Sequence, residues 1–228
     1  MERKPLIYFF DMDHTLIDND CDVSWKQFLV NEGLAPVDSM EIADGFYEDY
    51  VLGELDPIEF MQFQNAEFVG NKLTDMYEIS KRHFEVMVKD KIYPPAFELI
   101  RQLVIDNANV TLLTSTNTVV AAPLAKYLGI ELLGTDLVMH EGKFTGEIFE
   151  PYCAGEGKVS IAGEYCRENN CSLDDAAYFG DSINDQFLLS EVGFPYVVNP
   201  DSDLARMAKG NNWNILQFRM SDNGSHTV

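Results

Sequence analysis

The chain has 228 residues, 46% of them hydrophobic, which is enough for a substantial core and lies between the usual sizes of one domain and two. Acidic residues outnumber basic ones by 38 to 16, for a formal net charge of -22, so nucleic-acid backbones and anionic membranes would be repelled and are not expected as partners. No apolar run approaches the roughly 18 residues of a membrane span, and the N-terminal run ends in acid after a few residues, unlike a signal sequence.

Leu6 to Phe10 is a continuous apolar run rich in β-formers, which predicts a strand buried on both faces, ending abruptly at Asp11. From Asp18 to Asp90 the pattern turns helical and acidic, with 17 Asp and Glu against five Lys and Arg. Trp25, Phe28 and Leu29 share one face; Ile42, Phe46 and Tyr50 recur at fourfold spacing; Phe60, Phe63 and Phe68 follow more loosely; Met76, Ile79, His83 and Met87 form the last face. Asp56-Pro57 marks a helix start, so about four helices are expected here.

After Pro94-Pro95 the chain alternates. Ala96, Leu99, Ile100 and Leu103 read as a helix, and Val110 to Leu113 as a buried strand. Later strands are predicted at Asp136 to His140, Ala176 to Phe179, Tyr196 to Val198 and Ile215 to Phe218, with helices at Val119 to Leu128 and Gly157 to Asn169 and a hairpin at Glu141-Gly142. The tail after Arg219 reads as disordered. Cys21, Cys153, Cys166 and Cys171 show neither CxxC spacing nor a secreted framework, so they are expected as reduced thiols of a cytoplasmic protein.

Four chemistry-bearing segments follow predicted strands or open a helix. Asp11-Met12-Asp13-His14-Thr15 places carboxylates two apart at a strand end, where a turn would aim both at one centre to hold a hard cation, attack an electrophile and handle protons. Thr114-Ser115-Thr116-Asn117 offers hydroxyls and N–H groups to phosphoryl oxygens without adding charge. Lys158 in Gly155-Glu156-Gly157-Lys158 opens a helix, where the dipole disfavours a cation unless an anion is near. A P-loop is excluded, because Tyr152 stands at its first glycine position and Val159 follows the lysine. In Gly180-Asp181-Ser182-Ile183-Asn184-Asp185, the two aspartates lie four apart and would share a face if a helix began there.

These motifs, in this order, resemble the haloacid dehalogenase-like phosphatases, and among them the group that includes phosphoserine phosphatase. The resemblance spans nearly the whole chain. It implies an α/β fold with a doubly wound, mainly parallel, Rossmann-like sheet, a catalytic core over 1–17 and 91–228, and an inserted α-helical cap over 18–90. The chain would cross between them near Ile17 to Asp20 and Lys89 to Tyr93. The same resemblance implies a Mg²⁺-dependent phosphomonoesterase that forms an aspartyl-phosphate. Asp11 is then the nucleophile and Asp13 the general acid/base; Thr114, Ser115, Lys158 and Asn184 bind phosphate; Asp11, Asp13 and Asp181 surround the metal; and Asp185 supports Lys158 or the metal shell. Asp20 occupies the position that meets a substrate amine in that group, which suggests a small amine-bearing metabolite such as phosphoserine or histidinol phosphate. No arginine is placed to hold a carboxylate, Arg82 being the one arginine of the segment. Two alternatives use the same residues: phosphotransfer to an alcohol or sugar, and a receiver-like phospho-signalling module without turnover.

Overall fold

In the computed structural model, residues 3–52 and 56–220 are described. The predicted tail therefore lies almost wholly outside the described residues, as does the Tyr50 side chain. A six-stranded parallel sheet organises the chain, built from β1 (Ile7–Phe10), β2 (Asn109–Asn117), β3 (Glu131–Thr135), β6 (Ala176–Gly180), β7 (Phe194–Val198) and β8 (Asn214–Leu216) in the order β3-β2-β1-β6-β7-β8. Between β3 and β6 stands an antiparallel hairpin of β4 (Leu137–His140) and β5 (Lys143–Ile148). Its two-residue turn, Glu141-Gly142, has positive φ at both positions, as a mirror-image turn requires.

Parallel strands need cover on both faces, and β1 shows how its residues supply it. Ile7 and Phe9 enter one core with Leu113, Tyr178 and Val197, beneath α7 (Glu156–Glu168), α8 (Gln186–Glu191) and α9 (Ser202–Asn211). Phe10 enters the other with Leu112, Phe179 and Val198, beneath α5 (Pro94–Ile105) and α6 (Thr118–Leu128). There the rings of Phe10, Phe179 and Tyr196 stack across three neighbouring strands at centroid spacings of 4.2 and 4.5 Å. Burying each phenylalanine contributes about 1.5–3 kcal/mol, so β1 is pinned as the sheet's centre.

The expected helical segment contains α1 (Cys21–Asn31), α2 (Ser39–Leu52), α3 (Pro57–Gln64) and α4 (Leu73–His83), α4 running on through a π-helical turn at Phe84–Val88. Asp56 caps α3 through the N–H groups of Ile58 and Glu59, as its sequence predicted. Phe46 packs on Phe60 and Phe63, while Phe68 turns away to Trp25 and Phe144. Lys26, which no apolar pattern would place inside, is fully buried, donating to the Phe63 carbonyl and Glu67. The ion pair with Glu67, together with the hydrogen bond to the carbonyl, makes that burial tolerable.

Two seams join this segment to the sheet. The predicted crossings are bonded to each other, with Asp18 N–H donating to the Lys91 carbonyl (2.8 Å) and Tyr93 N–H to that of Leu16 (2.9 Å). On the far side, residues 69–71 pair with β5, Gly70 N–H donating to the Phe144 carbonyl and Phe144 N–H to that of Asn71. Gly146 lets them meet, because a Cβ there would come within 2.8 Å of the Val69 side chain.

Candidate active site

Strand order reverses between β1 and β6, which opens a crevice beyond their carboxyl ends where α/β sheets bind ligands. Asp11 follows β1 and Asp181 follows β6, so both expected carboxylates stand at that opening. The turn that Asp11 and Asp13 require is present. His14 adopts a left-handed backbone, φ 55°, and Thr15 N–H donates to the Asp13 carbonyl at 2.7 Å.

Lys158, in the first turn of α7, donates to Asp11 Oδ1 at 2.8 Å, to Asp185 Oδ1 at 3.0 Å and to the Tyr178 hydroxyl at 2.9 Å. Its anionic neighbours hold the ammonium well above its ordinary pKa although burial opposes the charge. The dipole penalty at that helix start is thus met by two carboxylates. Asp185 accepts at both oxygens: Oδ1 from Lys158 and Tyr178, Oδ2 from the N–H groups of Asp181 and Ser182. It does so from a short 3₁₀ turn, Ile183–Asp185, and does not share a helical face with Asp181 as the four-residue spacing predicted. Gly180 makes room, since a Cβ there would lie 2.6 Å from Asp185 Oδ2.

Ligand atoms of Asp11, Asp181 and Asp185 lie within 4.8 Å of one another. Burial raises Asp181 to about 9, aided by the charges of Asp11 and Asp185, and burial lifts Asp11 to about 6 against the pull of Lys158. Crowded, oxygen-only carboxylates of this kind fit a hard divalent cation, which would relieve their repulsion. Asp13, expected at the metal through its side chain or a nearby carbonyl, has its carboxylate turned to other partners, accepting from Cys21 N–H at 2.8 Å and from the Thr116 hydroxyl at 2.9 Å. Burial, with the charges of Asp20 and Asp11, pushes the Asp13 carboxyl well above its ordinary pKa.

Thr114 and Ser115 lie within β2 itself and not in a loop beyond it. Thr114 Oγ1 accepts from Thr116 N–H. Asn184 lies in the turn Ile183–Asp185 at the same opening. Asp20 is exposed and caps α1, accepting from Val23 N–H at 3.0 Å.

Four side chains had been given no role. Thr15 donates to Asp181 Oδ1 at 3.0 Å, Thr116 to Asp13, and Tyr178 to Asp185. Tyr178 carried a signal, being the one polar ring in the strand Ala-Ala-Tyr-Phe-Gly. Tyr152 is clamped by Gly157, where a Cβ would come within 1.9 Å of the Tyr152 carbonyl oxygen.

Fold and site together define an α/β enzyme with its chemistry at the switch point of a parallel sheet. The family model described as haloacid dehalogenase-like hydrolase matches residues 8–190, and the chain belongs to that family, which sets the receiver-like reading aside. A histidinol-phosphatase of Neisseria meningitidis is 29% identical over 216 residues, covering 92% of this chain and 97% of that one. A phosphoserine phosphatase of Mycobacterium tuberculosis is 26% identical, covering 96% and 75%. Among solved structures, a protein of unknown function from Bordetella pertussis superposes with a TM-score of 0.86 at 26% identity, over 95% of this chain and 99% of that one. A substrate-bound phosphoserine phosphatase gives 0.65 at 16% identity, over 90% and 91%, which is a likeness of fold.

Proposed function

We propose that the protein is a magnesium-dependent phosphomonoesterase that works through an aspartyl-phosphate on Asp11. The observation that carries this reading is Lys158, 2.8 Å from Asp11, with Asp13 held separately by the Thr116 hydroxyl in the same crevice. A nucleophilic carboxylate and a proton donor are then distinct groups, each with its own partners.

Asp11 attacks phosphorus as Asp13 passes its proton to the leaving oxygen, so the ester P–O bond breaks as the carboxylate–phosphorus bond forms. Asp13, now a carboxylate, takes a proton from water, whose oxygen displaces Asp11 and releases inorganic phosphate. Lys158, with the Thr114 and Ser115 hydroxyls and Asn184, orients the phosphoryl oxygens and offsets their charge. Magnesium, held by Asp11 and Asp181 with Asp185 behind them, would supply the remaining neutralisation that lets a carboxylate approach a phosphate dianion.

The core is assigned to 1–17 and 91–228 and the cap to 18–90, with the cap selecting the leaving group. A small amine-bearing phosphorylated metabolite suits the acidic approach from Asp20 and Asp22, and both named relatives act in their names on amine-bearing esters. The four free cysteines agree with a cytoplasmic setting, and no helix among the described residues is long and apolar enough to cross a membrane.

The test is phosphate release from a panel of phosphorylated metabolites with magnesium, by the unaltered protein and by Asp11→Asn. The variant keeps the fold, because the amide is nearly isosteric, and loses turnover. Substantial activity in the folded variant refutes the nucleophile. Phosphate appearing on an added alcohol instead of in solution points to phosphotransfer.

A further inference from the structure

An ammonium has three N–H bonds, and in Lys158 protein acceptors take all of them: Asp11 Oδ1 at 2.8 Å, Asp185 Oδ1 at 3.0 Å and the Tyr178 hydroxyl oxygen at 2.9 Å. Lys158 is buried, so solvent offers little alternative. A phosphoryl oxygen can therefore accept from this lysine only where one of the three gives way.

The three acceptors are unequal. Asp11 and Asp185 accept as carboxylates, and such charge-assisted bonds are about twice as strong as neutral ones. Tyr178 accepts as a neutral hydroxyl, and its own hydrogen goes to Asp185, so it keeps a partner when the ammonium turns away. Its ring cannot follow the lysine, being fully buried in the core that holds Phe9, Leu113 and Val197. Packing alone asks for no oxygen at this point of β6, where the neighbours Ala176, Ala177 and Phe179 are apolar.

We propose that Tyr178 is a positioning residue for Lys158: its hydroxyl holds the third N–H of the ammonium until a phosphoryl oxygen takes that place, and yields it as the weakest of the three acceptors. This rests on the phosphomonoesterase reading, which sets Lys158 on the phosphate. The consequence has a sign. A group that holds the ammonium only when phosphate is away stabilises that state and weakens phosphate binding in proportion.

The test is Tyr178→Phe, which deletes one oxygen and keeps the ring, measured on the full chain with magnesium. Without phosphate, Tm of the variant should fall by roughly 2–10 °C, because Lys158 and Asp185 each lose a partner. Calorimetric titration with inorganic phosphate should show a dissociation constant lowered by about two- to tenfold, the worth of one neutral hydrogen bond. KM for a hydrolysed ester should fall with it while kcat does not rise, since product phosphate is held more tightly as well. A role confined to packing, or to aiming Lys158 at its ligand, gives no such gain. Weaker or unchanged phosphate binding by the folded variant therefore overturns the proposal while the phosphatase reading stands. If neither protein binds phosphate or hydrolyses any ester of the panel, that reading falls and this proposal falls with it. The unaltered protein offers a second measurement, with ¹³C at the tyrosine Cζ positions. The resonance best shielded from a soluble relaxation agent is that of the fully buried Tyr178, and it should move as phosphate is added; a resonance that stays fixed also overturns the proposal.

Discussion

Replacing Asp185 by Asn removes one charge and one acceptor from the most heavily bonded carboxylate of the site. Its two oxygens accept four hydrogen bonds, from Lys158, Tyr178 and the N–H groups of Asp181 and Ser182, and the side chain is only 4% exposed. An asparagine keeps one oxygen and sets an NH₂ donor where the other stood. Whichever way the amide lies, two donors face a donor. Each such loss costs about 1–3 kcal/mol, so the variant should lose roughly 2–5 kcal/mol of stability. Urea unfolding in the presence of a chelator reads this without a contribution from bound metal. Lys158→Met serves as the second arm of a double-mutant cycle, because Asp185 and Lys158 touch at 3.0 Å and should couple by about 1–3 kcal/mol. A loss under 1 kcal/mol for Asp185→Asn, or strict additivity in the cycle, would refute the view that this carboxylate organises the lysine and the turn.

Chelation should abolish phosphate release and magnesium restore it, with Asp181→Asn raising the magnesium needed for half-maximal activity by about tenfold; activity indifferent to chelator would end the metal assignment. His83 is buried against Trp25 and Phe28, with Nε2 bonded to Ser24, and burial holds its pKa down at about 4 against an ordinary 6.5. The unfolded chain therefore binds a proton between those values that the native chain does not. The His83 contribution, about 3 kcal/mol, should be complete above pH 6.5 and lost progressively as pH falls to 4, and His83→Gln should flatten that part of the urea-midpoint profile. Gly157→Ala forces a methyl group to within 1.9 Å of the Tyr152 carbonyl, which should cost about 1–3 kcal/mol and lower Tm by roughly 2–10 °C; an unchanged Tm would mean the first turn of α7 yields without strain.

Residues whose role follows from position along the chain were legible in the sequence. Asp11, Lys158 and Asp181 each mark a strand end or helix start, and periodicity alone locates those boundaries. β3 was missed, because Glu-Leu-Leu-Gly-Thr has two apolar residues and no alternation; its partner β2 makes it a strand. The predicted strand at Asp136 to His140 forms, but in the hairpin and not in the main sheet, a choice that pairing decides. Side-chain direction was equally out of reach. Nothing in Asp-Met-Asp says that the second carboxylate turns to Thr116, and nothing around Gly180 says that Asp185 meets Lys158, since both depend on groups distant in sequence. Lys26 was unreadable for the same reason, its partners Phe63 and Glu67 lying two helices away.

The bonds that build the crevice span great lengths of chain: Asp13 to Thr116 over 103 residues, Asp11 to Lys158 over 147 and Thr15 to Asp181 over 166. No fragment that stops short of Asp181 contains the partners of all three. A nascent chain that has completed β1 and the helices after it still lacks Thr116, Lys158 and Asp181, and the strand that sets Asp181 beside Asp11 is formed only when β6 docks on β1. Because contacts of such separation must overcome loop-closure entropy before they stabilise anything, they belong to the late steps of folding. The candidate site is therefore assembled only once β6 has joined β1 and β2, so its parts meet late in folding and not as the chain emerges.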